Sequence, residues 1–194
     1  RIGLDFDWPG YFGEFYVTAP FDEIFKKTIE NDTELMVLEL VESLPEATEL
    51  EVEVVPGVPA LAAAAALLGA PLVNDFAVVS LSDLLTPWEL IERRLRCAVE
   101  GDFALVLYNP RSRRRDGHLA RAVEIIAEVR EASTPVGLVR QAFRPEQEVS
   151  VSSLGEFDPE AADMLSIVIV GNSTTRYARG RMFTPRGYMD KYGQ

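Results

Sequence analysis

The sequence predicts an α/β fold of two α/β domains, and three observations carry that prediction. From Met36 onward, short apolar runs of strand length alternate with stretches at helical spacing. Several runs, "FALVLY" and "LSIVIVG" above all, are continuously apolar, as strands buried on both faces require. Polar loops close these runs, at the strand ends where open α/β sheets bind ligands.

The elements follow in order. "GEFYV" reads as a strand and "PFDEIFKKTIEN" as a helix, together too little to complete a sheet domain of ordinary size. "ELEVEVV" (49–55) alternates like a strand and ends in the turn "PGVPA". The Ala-rich "LAAAAALLGA" is then a helix, with Pro59 tolerated in its first turn and Gly69 closing it. "FAVVSL" (76–81) is a further strand. Thr86 and Glu89 form a capping box, Pro87 suits the first helical position, and Trp88, Ile91, Leu95, Ala98 and Val99 recur on one face of a helix over 87–100. "DFALVLY" is a buried strand and "NPRSRRRDG" a loop. Asp116 caps a helix whose inner face is Leu119, Ala122, Val123, Ile126 and Val129. "PVGLVRQ" and "EVSVSSL" are strands joined by "AFRPEQ", and "LSIVIVG" (165–171) is the last buried one. The domains are expected over 1–73 and 74–194.

Composition narrows the chemistry. In 194 residues, 47% apolar and 26% charged content is ordinary for a globular protein with a sizeable core. No apolar run approaches membrane-helix length and the first residues lack a signal-peptide pattern, so the expectation is a cytoplasmic protein with no membrane contact. One cysteine, Cys97, and one histidine, His118, exclude a disulfide and make no metal-ligand cluster. Cys97 is expected to be buried on its helix, and His118 to be a surface residue near a helix start. Residues 1–53 hold three basic residues against fourteen acidic ones, a net of −11 out of the chain's −12. The remainder is nearly neutral, with arginines bunched at 111–115 and at Arg176, Arg179, Arg181 and Arg186. Two such islands suit a small polyanion better than a nucleic acid, which draws on a broad basic face.

Six stretches in register, "VEVVPGVPALAAAAALLGAPL", "FAVVSLSDLLTPWELIERRL", "LYNPRSRRR", "GLVRQAFRP", "IVIVGNSTT" and "MFTPRGY", resemble the tetrapyrrole methylase group, and within it the branch that methylates C17 of precorrin-3B in cobalamin biosynthesis. The resemblance covers roughly Leu35 to Tyr188. It implies two α/β domains with an S-adenosylmethionine site in the cleft between them, a homodimer, and an anionic tetrapyrrole as substrate. It also implies the reaction, methyl transfer to C17 linked to ring contraction. A methylase acting at another ring carbon, or a non-catalytic binding scaffold, are the alternatives.

The site residues follow from the same resemblance. Pro56, Gly57, Val58, Pro59 and Ala60 form a turn whose main chain passes close to the cofactor, as an absent side chain at glycine permits. Tyr108, Asn109, Gln141, Ala142, Asn172 and Ser173 line the adenosine pocket. Displacement at a sulfonium methyl needs positioning more than a reactive side chain. The macrocycle's carboxylate arms need cations, and Arg111, Arg113 and Arg186 are the candidates because guanidinium forks hold carboxylates bidentately. Ser82 and Asp83 are either helix caps or substrate contacts, with Asp83 the candidate proton acceptor during contraction. Two glycine-rich segments of the group, "GxGPG" and "GDPGIYGM", are missing from this text. The abrupt junctions suggest joined segments of a longer chain; a diverged first domain is the alternative.

Overall fold

A computed structural model describes residues 2–4, 15–18, 51–54, 57–111 and 117–187, and the chain divides into two compact units, residues 1–58 and 59–194. The division falls at Val58/Pro59 and not at 73/74, because the alanine-rich helix packs on the sheet of the larger unit. The helix expected over "PFDEIFKKTIEN", with Pro56, Arg113 and the Asp116 cap, lies outside the described residues.

In the smaller unit, β1 (Ile2–Leu4), β2 (Phe15–Thr18) and β3 (Glu51–Val54) form an antiparallel sheet in that order. Val17 sits opposite both Ile2 and Val52. The strands read from "GEFYV" and "ELEVEVV" are the second and third of these.

The larger unit opens with α1 (Ala60–Leu68) and β4 (Gly69–Ala70). Next come β5 (Phe76–Ser80), α2 (Trp88–Glu100), β6 (Ala104–Tyr108), α3 (His118–Ala127), β7 (Pro135–Arg140), β8 (Glu148–Ser153) and β9 (Ser166–Val170), and finally the hairpin β10 (Arg176–Ala178) and β11 (Arg181–Phe183). The main sheet has the order β5-β6-β9-β7-β8. Strands β5 and β6 are parallel, β9 is antiparallel to both β6 and β7, and β8 is antiparallel to β7. Thus β5, β6 and β7 point one way, and their C-terminal residues Ser80, Tyr108 and Arg140 share one edge.

The period of two along each buried strand assigns its side chains to two faces. Leu105 and Leu107 of β6, with Val168 and Val170 of β9, meet α2 and α3 through Leu95, Val99, Leu119 and Ile126. Val106, Ile167 and Ile169 face the other way and pack with Ala64 and Leu68 of α1 and with Met182 of β11. The result is a three-layer α/β/α unit. Gly137 lets α1 approach closely, since a Cβ there would fall 2.6 Å from Leu68 Cδ2. Gly69, at φ 132°, lets β4 leave α1 and pair with β11, because a Cβ would meet the Met182 carbonyl oxygen at 2.6 Å.

Several local expectations are corrected. Pro87, not Thr86, occupies the N-cap of α2, and no side chain caps that helix. Gly117 is the N-cap of α3. On α3 the buried face includes Ile125, whereas Val129 is exposed because the helix ends at Ala127. Cys97 is exposed, since the stripe of α2 that meets the sheet passes through Ile91, Leu95, Ala98 and Val99.

Candidate active site at the sheet edge

Three chain segments reverse at the C-terminal edge of β5, β6 and β7, and those after β6 and β7 do so in strained backbone. Asn109 (φ 50°), Gln141 (φ 48°) and Phe143 (φ 60°) all adopt the left-handed region that non-glycine residues rarely enter. Side chains and main chain hold the turns. Ser80 Oγ accepts from Asn109 Nδ2 at 3.0 Å and from the Ser82 N–H at 3.3 Å, and the Leu81 N–H donates to the Tyr108 carbonyl at 2.9 Å. The Gln141 N–H donates to the Leu165 carbonyl at 3.0 Å, while its side-chain amide donates to Glu146 at 2.7 Å.

The helix α1 brings its N-terminus to the same edge. The four leading N–H groups of a helix have no partner inside it. Here the Tyr108 hydroxyl accepts one of them, from Leu61, at 2.9 Å. Burial pushes the Tyr108 phenol up, and the Leu61 N–H offsets part of that rise. Ala60, Leu61, Tyr108 and Ala142 are all half-buried against one apolar cluster with Val139 and Ile167.

Asp83 lies on the loop after β5, half-exposed, with its Oδ2 3.5 Å from His118 Nε2. On the loop after β6, Arg111 is already engaged: it forms an ion pair with Glu160 and donates from Nη1 to the Glu160 carbonyl at 2.9 Å. Arg140 at the end of β7 donates to Asp163 Oδ2 at 2.7 Å and pairs with Glu148 at 3.3 Å. Burial raises the Asp163 carboxyl, but hydrogen bonds from Arg140, Ser166 and Leu165 more than reverse this and hold it below the usual carboxylate range.

The structure does not bring every candidate residue here. Because β9 runs against its neighbours, the loop that follows it sits at the opposite edge, beside the start of β6. There the Ser173 N–H and hydroxyl donate to Asp102 at 3.0 and 2.6 Å. Asn172 is buried, and its Oδ1 accepts from Thr174 and Thr175, closing its own turn. Asn172 and Ser173 are thus separated from Tyr108, Asn109, Gln141 and Ala142. Arg186 also lies away from Arg111: its Nε donates to Asn74 at 3.3 Å, on the loop that leads into β5. Pro59 and Ala60 begin the larger unit at the α1 N-terminus, while Gly57 and Val58 are exposed at the end of the smaller one.

One residue is more involved than the sequence indicated. His118 is only 22% exposed and stacks on Trp88, which makes it part of the α2/α3 packing and not a surface residue. The available signal was its place, first in a helix directly after the arginine-rich loop. Among the described residues no cluster of His, Cys, Asp and Glu could hold a metal ion, and no helix is long and apolar enough to cross a membrane.

Residues 36–158 match the family described as Tetrapyrrole (Corrin/Porphyrin) Methylases. The chain is 53% identical over 153 residues to the probable cobalt-factor III C(17)-methyltransferase of Salmonella typhimurium, a match covering 79% of this chain and 63% of that protein. It is 45% identical over 144 residues to the precorrin-3B C(17)-methyltransferase of a Sinorhizobium species, covering 72% of this chain and 57% of that one. Among solved structures it is similar to the methyltransferase CobJ, with a TM-score of 0.74 at 42% identity over 78% of this chain and 64% of that chain. The chain spans about three fifths of the length of these relatives. With its α/β architecture and a match that runs from ahead of the smaller unit's last strand through β8, the chain belongs to the tetrapyrrole (corrin/porphyrin) methylase family.

Proposed function

We propose that the chain transfers a methyl group from S-adenosylmethionine to C17 of precorrin-3B, or of its cobalt-bearing counterpart, with contraction of the macrocycle. The observation that supports this reading most is the 53% identity to a C17-methyltransferase across four fifths of the chain. The geometry at the sheet edge agrees with it.

The residues present fit an adenosine-bearing donor. Ala60 and Ala142 are small, Tyr108 offers the flank of a half-buried ring, and the left-handed turns at Asn109 and Gln141 present main chain at the edge. Among the described residues, nothing hydrogen-bonds the main-chain N–H or carbonyl of Ala142. In this reading Tyr108, Asn109, Gln141 and Ala142 hold the adenosine part, and the turn from Gly57 to Ala60 passes beside the sulfonium part. Asn172 and Ser173 leave the set, because both are committed to structure at the other edge. When bound, the donor supplies an electrophilic methyl carbon. The chain's own contribution is to hold the macrocycle so that its nucleophilic carbon faces that methyl in line.

Arg111 is a candidate substrate cation at this edge, and a carboxylate arm of the macrocycle competes with Glu160 for it. Ser82 and Asp83 stand on the adjoining loop, where Asp83 accepts the proton that contraction releases. The working form is a homodimer in the cytoplasm.

Incubation with the macrocycle and S-adenosylmethionine, followed by mass spectrometry and NMR of the product, tests the reaction. One added methyl at C17 on a contracted ring is expected; methylation at another ring carbon rejects the assignment. Calorimetry with S-adenosylhomocysteine tests the donor site separately, and absence of binding rejects it.

A further inference from the structure

His118, the single histidine of the sequence, is held on three sides. Its Nδ1 lies 3.1 Å from the main-chain carbonyl of Leu81. A carbonyl only accepts, so Nδ1 carries the hydrogen and donates it there. Its ring stacks on the Trp88 indole, with centroids 4.4 Å apart and planes 23° from parallel. The indole is itself braced: Nε1–H donates to Glu92 Oε1 at 2.9 Å, and the same oxygen accepts from Arg121 Nε at 2.9 Å. A strut between α2 and α3 therefore fixes the imidazole plane.

The third side is Asp83. With Nδ1 committed to Leu81, a neutral ring turns the bare lone pair of Nε2 toward the Asp83 carboxylate, 3.5 Å away. Two acceptors facing each other in this way form a site that one added proton would bridge. The contact is longer than a good hydrogen bond, as pairs that tighten on substrate binding often are. Stacking alone does not explain the arrangement, because a phenyl ring would stack on Trp88 equally well. Both imidazole nitrogens are used, one to orient the ring and the other to meet the acid.

We infer that His118 is a positioning residue for Asp83, holding its carboxylate at the sheet edge and sharing the proton it takes from the macrocycle. This rests on the proposed role of Asp83. In the step, a bond to hydrogen on the macrocycle breaks and its electron pair stays on the macrocycle. The proton passes to the Asp83 carboxylate and comes to rest between Oδ2 and Nε2. No oxidant or reductant takes part. Among the described residues, the charged groups linked to the pair through Trp88 are Glu92 on α2 and Arg121 on α3.

The single imidazole gives a readout independent of activity. In ¹⁵N NMR of the labelled protein, Nδ1 is expected to keep a protonated-type shift in both wild type and Asp83→Asn, while Nε2 moves in the variant. An unmoved Nε2 overturns the contact. In turnover assays, His118→Gln and His118→Phe are expected to lower kcat about 10- to 100-fold with KM for both substrates within about two-fold. S-adenosylhomocysteine binding stays as in wild type. Added imidazole restores part of the turnover of His118→Gly. If both substitutions keep wild-type kcat while Asp83→Asn is slow, the inference on His118 fails and the role of Asp83 stands. If Asp83→Asn itself keeps full turnover, the role of Asp83 fails, and the inference on His118 with it.

Discussion

Asp83 and Arg111 illustrate how little a residue's type says until its neighbours are known. Both are charged residues on loops after parallel strands, yet among the described residues Arg111 is paired with Glu160 and Asp83 meets the His118 imidazole. Asp83→Asn keeps the shape and removes the proton acceptor, so turnover is expected to fall by about 100-fold or more, with donor affinity by calorimetry unchanged. For Arg111, the competitor is Glu160. Arg111→Ala is expected to raise KM for the macrocycle about ten-fold, the scale of one charge-assisted contact. Glu160→Gln removes the ion pair while leaving the main-chain contact of Arg111, and is expected to lower KM; steady-state kinetics on the pair decides whether the arginine meets the substrate.

The element that organises the edge is α1. Nine residues, mostly alanine, give it a smooth face that lies close to the sheet, and Gly137 removes the one side chain that would hold it off. Gly137→Ala pushes a methyl into Leu68, which is fully buried and has nowhere to move. The expected loss is about 1–3 kcal/mol in urea unfolding, together with weaker donor binding as α1 shifts from Tyr108. Tyr108→Phe leaves the Leu61 N–H without its acceptor. Its expected cost is about 1 kcal/mol by the same measurement, with the fold unchanged. On the other face, Leu95→Ala opens a cavity under α2 and is expected to cost about 2–5 kcal/mol without moving the edge residues.

For the larger unit as a whole, the far edge of the sheet is a clamp. Arg130 is buried, donates to the Phe103 carbonyl at 3.1 Å and pairs with Asp102, whose carboxylate also ties down Ser173. Burial raises the Asp102 carboxyl, while hydrogen bonds from Ser173 and the Arg130 charge bring it below the usual range. Asp163 at the near edge is lowered in the same sense. A depressed folded-state value means that the stabilisation is complete above the unfolded carboxylate range, near pH 4. It is lost as pH falls through the folded-state values. Thermal melts are therefore expected to drop steeply below about pH 4. Asp102→Asn is expected to flatten that acid limb and to lower Tm at neutral pH, because it leaves the buried Arg130 charge unpaired.

The sequence by itself determined the strands β2, β3 and β5 to β9, and the family, but not the short strands β1, β4, β10 and β11. Continuous apolar runs such as 104–107 and 167–170 have few other ways to be buried, and a period of two then assigns each residue to α1 or to α2 and α3. What the runs do not carry is direction. A strand apolar on both faces is equally buried either way round, and only its hydrogen-bonded pairing with β6 and β7, far away in sequence, set β9 antiparallel. That reversal removed Asn172 and Ser173 from the edge that holds Tyr108 and Gln141. The same holds for side chains whose role depends on packing between helices: Cys97 turned outward, and His118 turned inward onto Trp88, because the contact of α2 with α3 is a tertiary fact with no local signature.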